Sequence, residues 1–272
     1  MIAIYVVLSA IAMLLLNIPF DVFTSSHSWY SAPLIFIGLI LAFIILPVVI
    51  LFFMTITVNL NKPPRDTKLY RLVVDWFVKT VFEVFRIKIH TTGIDKVPDD
   101  ERFLLVCNHI HDFDPAIIYW ALPDKRLSFI AKKEVRDLYP IVYKILHKLN
   151  GLPIDRENNR EAAKTVINAT RLIKSGTNSV AVFPEGYIKG GELQPIRNGS
   201  LKMATKAKAK IVVCSLVDTR DIMKNLFKRK TDIYFDVLDV IDTADNDHTA
   251  ELGDQIHEMM KNSIESRKKS YN

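Results

Sequence analysis

The chain has 272 residues, 36 lysines and arginines against 30 aspartates and glutamates, and two cysteines. That length holds one sizeable domain with a smaller attachment, since single cores stop growing near roughly 250 to 300 residues. Cys107 and Cys214 sit in apolar runs, which argues against a disulfide framework and for a reducing compartment. The net charge of +6 suits an anionic surface such as phospholipid headgroups. No basic stripe with interleaved aromatics accompanies it, which argues against nucleic acid.

The first sixty residues differ from the rest. Met1 to Phe20 and Pro33 to Val58 are two nearly uncharged apolar runs, the second long enough to span a bilayer with tilt. A cleaved signal peptide would begin with a basic stretch and carry a small-residue cleavage site, and neither is present. The runs therefore predict a retained two-helix membrane hairpin over residues 1–60. A hairpin that crosses the bilayer and one that enters a single leaflet share this composition, and Pro19, Pro33 and Pro47 are compatible with both. The connection from Asp21 to Ala32 has no lysine or arginine, whereas Lys62, Arg65, Lys68 and Arg71 follow the second run. The positive-inside rule thus puts the large domain on the cytoplasmic face of the cell membrane.

Residues 61–90 predict an amphipathic linker helix. Leu69, Leu72, Val73, Trp76, Phe77, Val81, Val84 and Phe85 recur at helical spacing between Lys68, Arg71, Lys79 and Arg86. Such a helix either lies on the membrane surface or packs on the domain core.

Residues 91–272 predict an α/β domain with a central mixed sheet flanked by helices. Phe103–Cys107, Ser179–Phe183, Ile211–Val217 and Ile233–Val240 read as strands. Between them Asn158–Ser175 reads as a helix closed by Gly176, and Pro115–Leu122 as a shorter one. The tail from His248 to Lys269 reads as an amphipathic helix with a basic end.

The chemistry concentrates in Asn108-His109-Ile110-His111-Asp112-Phe113-Asp114, which follows an apolar strand. A histidine delivered to a sheet edge can act as a general base, and a carboxylate on its other ring nitrogen fixes the tautomer and stabilises the imidazolium. His109 and Asp114 are spaced for a turn to bring them together. Asp114 before Pro115 also reads as a helix N-cap with a first-turn proline. His111 and Asp112 read as turn residues. Together with His109 and Asp114 they offer a metal-ligand cluster as an alternative, but its spacing does not follow the His-x-His-x-Asp-His pattern of binuclear hydrolases. Cys107 would share a strand face with His109 and invites a nucleophilic role, against the simpler reading of a small buried residue.

From Phe103 to Leu216 the sequence resembles the 1-acylglycerol-3-phosphate acyltransferases and related glycerolipid acyltransferases. Asn108, His109 and Asp114 match their Asn-His-x-x-x-x-Asp motif, and Ala131-Lys132-Lys133-Glu134 is similar to the segment that follows. Gly151-Leu152-Pro153-Ile154-Asp155-Arg156 resembles the second motif, whose arginine is implied to hold a substrate phosphate. Phe183-Pro184-Glu185-Gly186-Tyr187-Ile188 resembles Phe-Pro-Glu-Gly-Thr-Arg without its arginine, leaving Lys189 or Arg197 as substitute cations. Arg197 lies in Ile196-Arg197-Asn198-Gly199, similar to the later Phe-Lys-x-Gly element. The proline of the last apolar motif has no counterpart between Ile211 and Leu216.

The resemblance implies His109 and Asp114 as catalytic, and Asn108, Lys132, Arg156, Glu185, Gly186, Lys189 and Arg197 as substrate-binding. It implies a membrane enzyme that moves an acyl chain from acyl-CoA or acyl-carrier protein, with no further cofactor, to the hydroxyl of 1-acylglycerol-3-phosphate. The product would be phosphatidic acid for phospholipid synthesis, with an apolar groove at the membrane holding the chain. Acylation of a different lysophospholipid or glycerolipid, and a metal-dependent hydrolase built on His109, His111 and Asp114, are the alternatives.

Overall fold

The computed structural model describes residues 1–24, 26–186, 193–226, 228–245 and 248–269. Two apolar helices, α1 (Ile2–Phe20) and α2 (Ser28–Ile56), form a hairpin. α2 begins ahead of Pro33 and carries Pro33 and Pro47 within it. At about 1.5 Å per residue its 29 residues reach about 44 Å. Both helices are long and apolar enough to cross a membrane, and most of their surface is uncovered by the rest of the chain, unlike that of a soluble core helix.

Thr67 opens α3 (Lys68–Val84) by accepting the Tyr70 amide at 3.3 Å. Of the two readings of this helix, core packing is the one observed: Tyr70, Val73, Val74, Val78 and Phe82 are buried. The same helix holds the hairpin, through Trp76 Nε1 to the Tyr5 hydroxyl at 2.7 Å and Thr55 Oγ1 to the Tyr70 hydroxyl at 2.8 Å. Arg71, counted from sequence among the cations flanking the membrane, is instead buried. Its Nε and Nη2 fork both oxygens of Asp66 at 2.8 to 3.0 Å, and Nη2 also donates to the Leu127 carbonyl at 3.3 Å.

The sheet has seven strands: β1 (Ile87–Thr92), β2 (Leu104–Cys107), β3 (Leu127–Lys132), β4 (Leu152–Ile154), β5 (Ser179–Val182), β6 (Ile211–Val217) and β7 (Thr231–Ile241). Their order is β1-β7-β6-β2-β5-β3-β4, parallel throughout except between β6 and β7. The four strands read from sequence are present, and β1, β3 and β4 are additional.

In β2 the side chains alternate between two cores. Leu105 and Cys107 join the layer under α3 and α4 (Asp114–Ala121), and Leu104 and Val106 join the other. Helices α5 (Val135–Leu138) and α6 (Pro140–Lys148) bridge β3 and β4. Asn158 caps α7 (Asn159–Lys174) by accepting the Arg160 and Glu161 amides, and Gly176 ends it at φ 69°. α8 (Lys202–Ala207) precedes β6 and α9 (Asp221–Asn225) follows it. The closing helix α10 (Thr249–Lys269) buries Leu252, Ile256 and Met260 at four-residue spacing. Its end is pinned by Arg267, which forks Asp236 at 2.6 and 2.9 Å.

Candidate active site

Because β2, β3, β4, β5 and β6 are parallel, their carboxyl ends open on one edge, the usual place for a ligand in such sheets. His109 and Asp114 follow β2, Lys132 ends β3, Arg156 follows β4 and Glu185 follows β5, so these motif residues all stand at that edge. Register decides which residues meet. Val106 pairs with Val182, so continuing both strands by three residues sets His109 level with Glu185.

His109 Nδ1 lies 2.8 Å from Asp114 Oδ2. The same oxygen accepts the amides of Ile110 at 2.6 Å and His111 at 2.9 Å. The carboxylate thus gathers the turn behind it; α4 has no side-chain cap at its start, so the N-cap reading of Asp114 is not what the fold uses. Asp114 is fully buried, and its other oxygen has no hydrogen-bond partner among the described residues. The His109 ring stacks on Phe183 with centroids 4.2 Å apart and planes 18° apart. Bound through Nδ1 and held flat against Phe183, the imidazole has one placement, with Nε2 left for a reactant. Phe183 was not singled out from sequence, although it opens the Phe-Pro-Glu-Gly motif.

Glu185 fastens the two central motifs together. One oxygen accepts the His109 amide at 2.7 Å and the other the Gln194 amide at 2.7 Å. Burial pushes its carboxyl above the ordinary value, opposed by those two amide bonds. A raised acid binds more protons folded than unfolded, so this group's contribution to stability is full below the ordinary glutamate value and is lost as pH rises through the folded value. Glu185→Gln removes the titration. Its stability relative to wild type is expected to improve between about pH 4 and pH 7, read by denaturation at both pH values; a difference constant across that range would refute this.

Asn108 is buried, its amide donating to the Leu216 carbonyl at 2.9 Å and accepting the Leu216 amide at 2.7 Å. It braces β2 against β6. Cys107 is fully buried in the core, and burial foremost pushes its thiol well above the usual range, so the nucleophilic thiolate is suppressed. Cys107→Ala is expected to lose on the order of 1 kcal/mol of stability and keep most of the activity, read by denaturation and turnover.

The cation sites converge at Gly186, where φ is 91°. A Cβ built there would stand 2.7 Å from Arg197 Nε and 3.3 Å from Arg156 Nη1. Arg197 is held by its amide donating to the Pro184 carbonyl at 3.1 Å. Burial, and then the charge of Arg197, lower the Arg156 guanidinium from its ordinary value. Two guanidiniums thus stand against a glycine that leaves them room, a concentration of positive charge with the donors that could suit an anion. Lys189 lies outside the described residues.

A cavity of about 550 Å³ connects His109 with Gly186 and Arg156. Its lining combines His109, Phe183, Gly186, Arg156 and the exposed Lys132 with the apolar Leu138, Tyr139, Val142 and Leu146. On the other side of Arg156 and Gly186 a second cavity of about 480 Å³ opens between α7 and α8. His111 stacks on Phe113 and accepts its amide, apart from the His109–Asp114 pair. Among the described residues no group of three or more His, Cys, Asp or Glu side chains is arranged to hold a metal.

Comparison with known proteins gives the same picture. Residues 88–217 match the family model described as Acyltransferase. A probable 1-acyl-sn-glycerol-3-phosphate acyltransferase of Mycoplasma genitalium is 31% identical over 172 residues, 61% of each chain. A 1-acyl-sn-glycerol-3-phosphate acyltransferase of Borreliella burgdorferi is 29% identical over 159 residues, 57% of this chain and 62% of that one. The chain thus spans about three fifths of the length of these relatives. The crystal structure of the 1-acyl-sn-glycerophosphate (LPA) acyltransferase PlsC from Thermotoga maritima shares the fold, with a TM-score of 0.64 at 21% identity over 96% of this chain and 98% of that one. The motifs gathered on this sheet edge fall within residues 88–217, so the stretch that carries the site is the one similar to the Acyltransferase family, and the chain resembles the 1-acyl-sn-glycerol-3-phosphate acyltransferases.

Proposed function

We propose that the protein transfers a fatty acyl chain from an acyl thioester, carried by coenzyme A or a carrier protein, to the free hydroxyl of 1-acylglycerol-3-phosphate. The product is phosphatidic acid. The observation that carries this reading is the meeting, along one cavity, of His109, paired with Asp114 at 2.8 Å, with Gly186 and the Arg156 guanidinium, where Arg197 also stands against Gly186.

With Nδ1–H donating to Asp114, Nε2 is the unprotonated nitrogen and accepts the proton of the lipid hydroxyl as that oxygen attacks the thioester carbonyl. Asp114 stabilises the imidazolium through the addition step. Collapse of the tetrahedral adduct breaks the carbon–sulfur bond, and Nε2 returns the proton to the departing thiolate. Arg156 and Arg197 hold the acceptor's phosphate, which fixes the distance of its hydroxyl from His109. The acyl chain lies against the apolar side chains of the cavity lining. The hairpin of α1 and α2 anchors the protein in the cell membrane. Lys62, Arg65 and Lys68 after α2, against none in the connection between the helices, support a catalytic domain on the cytoplasmic face by the positive-inside rule.

Purified protein given a panel of lysolipids with both thioester types, its products weighed by mass spectrometry, tests the assignment. Preferred acylation of lysophosphatidic acid is expected; equal use of lysolipids lacking a phosphomonoester, or product from none, would contradict it. Arg156→Ala and Arg197→Ala are each expected to remove one charge-assisted contact of about 1.5 to 3 kcal/mol, roughly a ten- to hundredfold fall in kcat/KM for the phosphorylated acceptor.

A further inference from the structure

Where α5 meets α6, a run of large apolar side chains is exposed: Leu138 at 70%, Tyr139 at 52%, Ile141 at 47% and Val142 at 48%. One turn further along the same face of α6, Ile145 and Leu146 are packed on the core, while Lys144, His147 and Lys148 occupy the opposite face. The apolar face of α6 thus starts against the core and runs out uncovered at Ile141 and Val142, beside the exposed Leu138 and Tyr139. A contiguous apolar patch of this kind is not the pattern of a solvated surface, and it needs a cover.

We infer that the α5–α6 junction inserts into the phospholipid bilayer as a membrane contact separate from α1 and α2. This rests on the membrane reading of the hairpin. Three observations name the bilayer as the cover. First, α6 is fastened to the segment where the chain leaves α2. Lys144 Nζ donates to the Ile56 carbonyl at 2.9 Å and Lys148 Nζ to the Arg65 carbonyl at 3.0 Å, and His147 Nε2 lies 3.1 Å from the Lys62 carbonyl. The junction therefore continues the apolar coat of the hairpin, on which Ile45, Phe53 and Ile56 are likewise exposed.

Second, the surrounding charge suits anionic headgroups: Lys62, Arg65, Arg136, Lys144 and Lys148 collar the junction, against Glu134 and Asp137. Third, Leu138, Tyr139 and Val142 also line the cavity that holds His109. Seating these three in the acyl layer brings the cavity mouth to where a lysolipid resides, so the acceptor enters sideways from the membrane.

Cys107 and Cys214 are fully buried, so a thiol introduced on the surface is selectively labelled. Ile141, which lies outside the cavity lining, is replaced by cysteine in the full chain and carries an environment-sensitive dye; Phe53→Cys on α2 is labelled in parallel. The proteins are mixed with phosphatidylglycerol–phosphatidylcholine vesicles bearing a quencher in the acyl region, and Leu138→Cys provides a second reading of the junction. The expected result is a blue shift, lipid quenching and loss of iodide quenching at positions 141 and 138 as well as at 53. Lipid quenching at 53 with iodide access at 141 and 138 would overturn the junction's insertion and leave the hairpin anchor standing. Iodide access at all three would overturn both.

Discussion

Replacing His109 with alanine is expected to lower kcat by about three to four orders of magnitude, because it removes the base and later the acid of the same reaction. The fold should be unaffected: the ring is partly exposed, and the Asp114 oxygen facing it keeps the amides of Ile110 and His111. Asp114→Asn separates two roles that one carboxylate combines. An amide oxygen can take the place of Oδ2 and hold the turn and the ring, while the negative charge that supports the imidazolium is gone. A fall of about a hundredfold or more is expected, with melting close to wild type. Turnover and denaturation of both variants together check this; a folded Asp114→Asn protein with wild-type kcat would show that Asp114 acts by position alone.

The second large effect is on stability. Arg71→Ala is expected to destabilise the protein by about 3 to 5 kcal/mol, since it leaves the Asp66 carboxylate buried with its fork partner removed. Only 10% of the Arg71 side chain and 7% of that of Asp66 is exposed, so solvent screens the pair little. Asp66 also accepts the Asn178 amide at 3.4 Å, and Arg71 reaches the start of β3 at Leu127. The pair therefore ties the stretch after α2 to the sheet. Chemical denaturation of the detergent-solubilised protein would measure it, and the double variant Arg71→Met with Asp66→Leu is expected to recover much of the loss. A loss below about 1 kcal/mol for Arg71→Ala would place the pair with ordinary surface contacts.

How far such features could be read beforehand depended on whether they are local. The hairpin, α7 with its Asn158 cap and Gly176 end, and the strands β2, β5, β6 and β7 carry their signal in their own residues. β4 has three residues, Leu152–Ile154, too few for a period of two to show. β3 runs Leu-Ser-Phe-Ile-Ala-Lys and leads directly into charged residues with no turn signal before α5. Arg71 looked like one more membrane-flanking cation because its partner Asp66 is five residues away and buried only by the tertiary fold.

The site divides in the same way. His109 and Asp114 were legible because five residues and one turn connect them. Glu185 was legible as a motif residue, whereas its bond to the His109 amide depends on β2 and β5 being adjacent and in register. The family's missing arginine left Lys189 and Arg197 as equal candidates. Pairing of the Arg197 amide with Pro184 brings Arg197 to Gly186, beside Arg156, a contact across 41 positions that no local pattern contains.

The most direct test follows phosphatidic acid formed from isotopically labelled lysophosphatidic acid and an acyl thioester, with wild type and His109→Ala at equal concentration in vesicles. Labelled product that accumulates steadily with wild type and falls by at least about a thousandfold with the variant is the predicted result. Equal rates in the two proteins, or no labelled phosphatidic acid from wild type, would contradict the assignment of His109 as the base that activates a lipid hydroxyl.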